Sequence, residues 1–129
     1  MRLKLKPMQK NCSIINDVLE FVVNPPKYTG YVYVISLNEF TKIGMSEKPL
    51  LRIGSIQTST PYKVKLELII PSLEMARLEK SLHCIFSRKR HSGEWFILNE
   101  ADIAFLKTLV PVGFRYKKTY DELMLDSPF

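Results

Sequence analysis

The sequence predicts a small single-domain α/β protein with a three-stranded central sheet flanked by helices. Three observations predict this class: a length of 129 residues, a globular composition with 46% hydrophobic and 25% charged residues, and the order strand, strand, helix, strand, helix, helix. We divide the chain into a basic N-terminal extension (1–28) with a short helix over 13–23, a main domain (29–110) and a C-terminal tail (111–129).

The first half of the main domain is predicted to form a β-hairpin followed by a helix. Residues 31–37 are rich in β-branched and aromatic side chains, which favour a strand, and residues 40–45 pair back with it across a short turn. Ser46 is a candidate N-cap for a helix that runs to about Gln57, with Pro49 in its first turn.

The second half is predicted to contain a third strand and two helices. Residues 64–70 form the strand, whose even positions are all apolar and predict a single buried face. The clearest helix follows, over 71–87, and Asn99 caps a last helix that ends near Leu109. The apolar stripe of the clearest helix consists of Met75, Leu78, Leu82 and Ile85.

The charge of the chain favours an anionic partner. The formal net charge is +6 and the sequence pI is about 9.4, as expected of a protein that binds nucleic acid or an anionic membrane surface. No apolar run approaches the roughly 20 residues of a membrane span, so no membrane insertion is expected. Two basic clusters stand out, although each is equally compatible with a solvated face: Arg2, Lys4, Lys6 and Lys10, and then Arg88, Lys89 and Arg90.

Cysteine usage and the N-terminus predict a protein that is not secreted. Cys12 and Cys84 are the only cysteines, too few for a disulfide framework, and free thiols fit a reducing compartment. With His83 and His91 they offer four zinc ligands, but structural zinc sites generally use tighter paired spacings. The N-terminus lacks the apolar core of a secretory signal. We expect a cytoplasmic protein, or a nuclear one in a eukaryote.

Four polar residues are candidates for chemistry. Alternation along the hairpin places Tyr33 beside Lys42, whose ammonium would lower the pKa of the phenol. Arg52, near the start of the next helix, is able to direct its guanidinium at a phosphate. Glu79 flanks the apolar stripe, with His83 one turn later, where a carboxylate can hold Mg²⁺. Taken singly, each also has a structural explanation as a packed aromatic, a surface charge or a surface pair.

The order and spacing of these residues are more specific than any one of them. The ordered set consists of Gly30 to Ile35, Lys42 to Gly44, Arg52 ten residues after Lys42, and Glu79. It resembles the GIY-YIG nuclease superfamily over about residues 29–109. The signatures KIG (42–44), ExxLH (79–83) and GEWF (93–96) are similar to the phage, viral and fungal meiotic branch of that superfamily.

The resemblance implies a role for each matched residue. Tyr33 matches the tyrosine that helps to activate the attacking water, and Lys42 stands where the second triad usually has tyrosine. Arg52 matches the arginine that contacts the scissile phosphate. Glu79 matches the glutamate that binds the divalent metal, which would be Mg²⁺ or Mn²⁺.

Two further residues match as supporting residues. Gly44 is the triad glycine, where a side chain would crowd the site, and His83 is expected to orient Glu79. Trp95 of the branch signature is expected in the core. The first triad departs from Gly-Ile-Tyr, since residues 31–33 read Tyr-Val-Tyr.

The sequence therefore predicts a metal-dependent endonuclease that hydrolyses nucleic acid phosphodiesters, with DNA as the expected substrate. Arg52 and the cluster formed by Arg88, Lys89 and Arg90 are expected to contact the nucleic acid. The alternative is a nucleic-acid-binding module of the same fold that does not cut. The presence of all four matched residues favours the enzyme, whereas the short chain, without a fused DNA-reading module, favours the alternative.

Overall fold

The computed structural model describes residues 28–124, so the helix predicted over 13–23 lies outside the described residues. No helix between 28 and 124 is both long and apolar enough to cross a membrane. The strands are β1 (Gly30–Leu37), β2 (Phe40–Ser46), β3 (Lys65–Ser72), β4 (Arg90–Ser92) and β5 (Trp95–Phe96). The helices are α1 (Pro49–Thr58), α2 (Met75–Ile85), α3 (Glu100–Lys107) and α4 (Tyr120–Leu123), with a 3₁₀ turn at Ser87–Lys89.

The sheet has five strands in the order β3-β1-β2-β5-β4, so the predicted count of three was wrong, although the α/β class was confirmed. Its three central strands are those predicted, with β1 antiparallel to both β2 and β3. β5 adds to β2 at Thr41 and Lys42, and β4 pairs with β5. Strands of two or three residues are too short to show a periodicity, which is why the prediction stopped at three.

Helices cover both faces of the sheet. Val34 and Ile43 point to the face covered by α2, where they cluster with Leu82. Tyr33 points to the opposite face and clusters with Ile53 of α1. Because side chains alternate along a strand, the apolar and aromatic stretch of β1 supplies both cores at once. Each fully buried aliphatic side chain contributes about 1.5–3 kcal/mol of stability.

The alternation of β3 had predicted that its even positions share one buried face, and this prediction was wrong. Val34 of β1 pairs with Leu68, but the next residue, Ile35, pairs with Leu66, which leaves Glu67 as an extra residue. Leu68 therefore joins the core under α2, and Leu66 packs against the core under α1. A one-residue bulge reverses the parity of every side chain beyond it.

The helix α2 begins at Met75, later than predicted, because Pro71 still pairs with β1. Its apolar stripe holds at Leu82, which is 1% exposed, but was wrong at Ile85, which is 59% exposed. Phe86, four residues after Leu82, is buried in its place. The buried side of the helix therefore follows the i, i+4 series of Leu78, Leu82 and Phe86.

The extents of α1 and α3 agree with prediction, but one of the two predicted caps was wrong. The side chain of Asn99 accepts the Asp102 backbone N–H at 2.9 Å, and the Asp102 carboxylate accepts the Asn99 N–H at 3.0 Å, which completes a capping box at α3. The N-cap of α1 is Lys48, with no side-chain cap of its own. Ser46 lies two residues before this N-cap and instead accepts the Lys48 N–H at 2.9 Å.

The segment 111–124, predicted as a tail, packs against the start of α1. Glu122 lies in α4 and is only 1% exposed. Its Oε2 accepts the backbone N–H of Leu50 at 2.6 Å and that of Leu51 at 3.1 Å. These amides belong to the first turn of α1, so a carboxylate from the end of the described chain caps this helix.

Candidate active site

The ring of Tyr33 lies directly over Gly44 of the neighbouring strand. The two residues are cross-strand partners. A Cβ built on Gly44 would lie 2.4 Å from both the Cζ and the hydroxyl oxygen of Tyr33. Any side chain at position 44 would therefore displace the phenol, which is 1% exposed and packed under α1.

The pKa of Tyr33 is raised above its usual value of 10.0, mainly because the phenol is buried. The Arg52 guanidinium beside the hydroxyl opposes this shift, whereas the carboxylates of Glu94 and Glu79 add to it. The expected lowering of this pKa by Lys42 was therefore wrong, because the charge next to the phenol is Arg52. The phenol is protonated at neutral pH.

Lys42 is directed towards β5 instead of Tyr33. Its Nζ donates a hydrogen bond to Oε1 of Glu94 at 2.7 Å and lies 5.5 Å from the centre of the Trp95 ring. Lys42 is 9% exposed, and a buried ammonium requires a partner of this kind. Glu94 and Trp95 come from the GEWF stretch, so this signature supplies the charge and the ring that hold Lys42. Sequence reasoning had left Glu94 without a role.

Glu79 reaches the site from the opposite layer, since α2 covers the other face of the sheet from α1. Its Oε2 is buried and has no hydrogen-bond partner within the described chain. Burial raises the pKa of Glu79 and Glu94 adds to this effect, while His83, Lys42 and the backbone N–H of Met45 oppose it. A buried carboxylate oxygen without a donor is suited to a cation.

His83 was expected to orient Glu79 but bonds to the edge of β2. Its Nε2 donates to the carbonyl oxygen of Ile43 at 2.8 Å, and its ring packs on Phe96 with centroids 5.1 Å apart. Among residues 28–124 it forms no hydrogen bond with Glu79 and acts on it only through charge. The imidazole therefore binds the β2 backbone through a hydrogen bond and influences Glu79 through its charge alone.

Arg52 lies between the phenol and an open groove. The groove has a volume of about 520 Å³ and is lined in part by Ser46, Lys48, Arg52, Ser55 and Met75. The residue is exposed, and its backbone N–H makes the first hydrogen bond of α1, to the carbonyl of Lys48 at 3.1 Å. The first turn of α1 therefore sets the position from which the guanidinium faces both Tyr33 and solvent.

Comparison with known proteins identifies the family of this region. Residues 30–108, from the start of β1 to the end of α3, match the T5orf172 domain, which covers more than half of the chain. The chain belongs to the T5orf172 family. No curated protein and no solved structure matched it. The T5orf172 region contains every site residue described above and ends before Glu122, which caps α1.

The basic cluster of the T5orf172 region is only partly available to a ligand. Lys89 donates to Asp102 at 2.5 Å, and the guanidinium of Arg90 lies 5.4 Å from the centre of the Phe96 ring. Arg88 is exposed and pairs with no acidic residue between 28 and 124. The three cations predicted to act together thus differ in their surroundings, and Arg88 is exposed without an acidic partner among residues 28–124.

Glu79 is the residue of the T5orf172 region that the sequence predicts to hold a metal. Residues 28–124 contain no group of three or more histidine, cysteine, aspartate or glutamate side chains arranged to hold a metal. Cys84 is an exposed free thiol, and Cys12 lies outside these residues, so the zinc alternative gains no support. Mg²⁺ keeps several water ligands and needs only one or two carboxylates. The unpaired Oε2 of Glu79 fits this requirement.

Proposed function

We propose that this T5orf172 protein is a metal-dependent endonuclease of the GIY-YIG type that hydrolyses phosphodiester bonds in DNA. The observation that carries the proposal is the surroundings of the Tyr33 hydroxyl, which lies over Gly44 and beside the Arg52 guanidinium and whose pKa also responds to the charge of Glu79. The association of the T5orf172 family with nuclease-type domains supports the proposal. The net charge of +6 supports an anionic substrate.

Glu79 is the proposed metal ligand, and Mg²⁺ or Mn²⁺ the proposed cation. The carboxylate offers a buried oxygen with no protein donor, and the pKa shift caused by burial would be relieved by a cation. When bound, such an ion supplies a Lewis acid that polarises the phosphate and stabilises the leaving oxygen.

Arg52 and Tyr33 act on different reactants, the phosphate and the attacking water. The guanidinium of Arg52, at the border of the groove, donates hydrogen bonds to the scissile phosphate and neutralises charge that builds up on it. The hydroxyl oxygen of Tyr33 accepts a hydrogen bond from the attacking water and orients it, and the proton that this water loses passes through solvent to the leaving oxygen. Because the pKa of Tyr33 is raised, the phenol enters the reaction protonated.

Lys42 and the basic cluster have electrostatic roles in the proposal. The ammonium of Lys42, paired with Glu94, limits the repulsion between Glu79 and an incoming phosphate. Arg88, assisted by Arg90, contacts the DNA backbone away from the scissile bond, while Lys89 is held by Asp102.

The test is a supercoiled-plasmid nicking assay with and without Mg²⁺ or Mn²⁺. Glu79→Ala and Arg52→Ala should abolish or greatly reduce nicking, and Glu39→Ala, at an exposed turn position, serves as the control. Glu79→Ala should leave DNA binding nearly intact, because it removes no phosphate contact. DNA binding by the wild type without nicking, across several metals and with DNA and RNA substrates, would instead identify a binding module.

A further inference from the structure

We propose that Glu122 is a positioning residue for Arg52, so that the working site extends beyond the T5orf172 region to the segment 111–124. This inference rests on the proposed function, in which Arg52 meets the phosphate. Glu122 is a buried carboxylate on a segment outside the family match, and no step of the proposed reaction uses it directly.

The start of α1 depends on Glu122 because the helix has no cap of its own. The first amides of a helix have no partner within it, and Lys48 at the N-cap provides no side-chain acceptor. Oε2 of Glu122 accepts the N–H groups of Leu50 and Leu51 at 2.6 and 3.1 Å. A carboxylate at this end also interacts favourably with the helix dipole. Arg52 is the next residue, so these bonds fix the turn that carries it.

Glu122 is itself held from the other side. Its Oε1 accepts hydrogen bonds from the Tyr116 hydroxyl, from the Thr119 N–H at 2.9 Å and from the Thr119 hydroxyl at 3.2 Å. Burial alone would raise the pKa of Glu122, but these donors and the α1 amides hold it below the usual value. The carboxylate is therefore charged at neutral pH and locked in one position.

The same segment contacts the strand that carries Tyr33. The rings of Tyr116 and Tyr31 meet edge to face with centroids 4.8 Å apart, and Phe114 lies 6.4 Å from Tyr31. Tyr31 precedes Tyr33 by two positions, so both point to the same face of β1. Lys48, just before α1, forms an ion pair with Asp121. The segment thus ties the strand of Tyr33 to the helix of Arg52.

The test compares variants that release Glu122 with one that weakens a different helix. Glu122→Gln keeps the shape but removes the charge, and Tyr116→Phe keeps the ring packing but removes a donor. Asn99→Ala removes the cap of α3, a helix that carries no residue of the proposed reaction, and serves as the matched control. Glu122→Gln should lower the kcat of plasmid nicking about 10- to 100-fold, as expected for a misplaced contact, with little change in KM. Asn99→Ala should leave kcat unchanged.

A second measurement does not depend on activity. The ¹³Cζ chemical shift of labelled Tyr33 reports on the neighbouring guanidinium and should move in the same direction in Glu122→Gln as in Arg52→Ala. If that signal is unchanged in Glu122→Gln, or if kcat falls equally in Asn99→Ala, the positioning role is refuted. If the wild type does not nick DNA but the Tyr33 signal moves in the same direction in Glu122→Gln and Arg52→Ala, the positioning role is retained and the proposed function is rejected. Should Glu122→Gln not fold, Tyr116→Phe is measured by the same criteria.

Discussion

Gly44→Ala is expected to displace Tyr33 and to lower nicking strongly. The added Cβ would lie 2.4 Å from the phenol, whereas ordinary contact begins at 3.4 Å, so the ring must move by about 1 Å. Overpacking of this kind costs about 1–3 kcal/mol. A shift of about 1 Å in a group that orients the attacking water costs on the order of 100-fold in rate. Gly44 does not have a positive φ, so the effect isolates crowding from backbone strain.

Gly30→Ala is the matched control for Gly44→Ala. A Cβ at Gly30 would also lie 2.4 Å from a neighbour, but that neighbour is the sulfur of Met75, which belongs to a flexible side chain. Both variants are compared with wild type by plasmid nicking rate and by melting temperature. Nicking by Gly44→Ala within about twofold of Gly30→Ala would refute the placement of Tyr33 at the reacting centre, since the displacement expected to cost 10²-fold would then be harmless.

Three other perturbations follow from the charges of the site and of the basic cluster. In metal-free protein, Glu79→Gln should raise the melting temperature, because burial raises the pKa of Glu79 and its ionised form therefore costs stability. Added Mg²⁺ should raise the melting temperature of the wild type but not that of Glu79→Gln. Arg88→Ala should lower the log–log salt slope of DNA binding by about 0.9, whereas Lys89→Ala should lower stability through the lost bond to Asp102; fluorescence anisotropy and thermal melts separate the two. Because the pKa of Tyr33 is raised, its protonated form contributes stability that is fully present below pH 10 and is lost as the pH rises further. Urea titrations on either side of pH 10 should therefore show a smaller loss of unfolding free energy in Tyr33→Phe than in the wild type.

Local patterns predicted the parts of the fold that local chemistry determines. The β1–β2 hairpin, the placement of Pro49 in the first turn of α1 and the Asn99 cap follow from residues close together in the chain, and all three are present. The addition of β5 to the sheet was missed because it depends on pairing with β2, a contact between distant segments, and β4 was missed because it pairs only with β5.

Part of the geometry around the candidate site was predicted, but its electrostatics were not. Strand alternation placed Tyr33 and Lys42 on one face, yet it could not show that Glu94, 52 positions away, would draw the ammonium to itself. The cap of α1 was assigned to Ser46, the nearest suitable side chain, whereas Glu122 provides it from 72 positions away. In both cases the partner is an acidic residue whose position relative to its target depends on the folded chain.

The pairing of the buried Lys42 with the half-exposed Glu94 has an evolutionary consequence. Losing Glu94 leaves the Lys42 ammonium without its hydrogen-bond partner, which costs about 1–3 kcal/mol for a buried polar group, a noticeable part of the stability of a small domain. A lineage is therefore expected to exchange the two residues together, with an acid at position 94 wherever a lysine occupies position 42. In relatives with an uncharged residue in place of the lysine, nothing in this pair would select for an acid before the tryptophan. The second residue of the GEWF signature should therefore vary among those relatives.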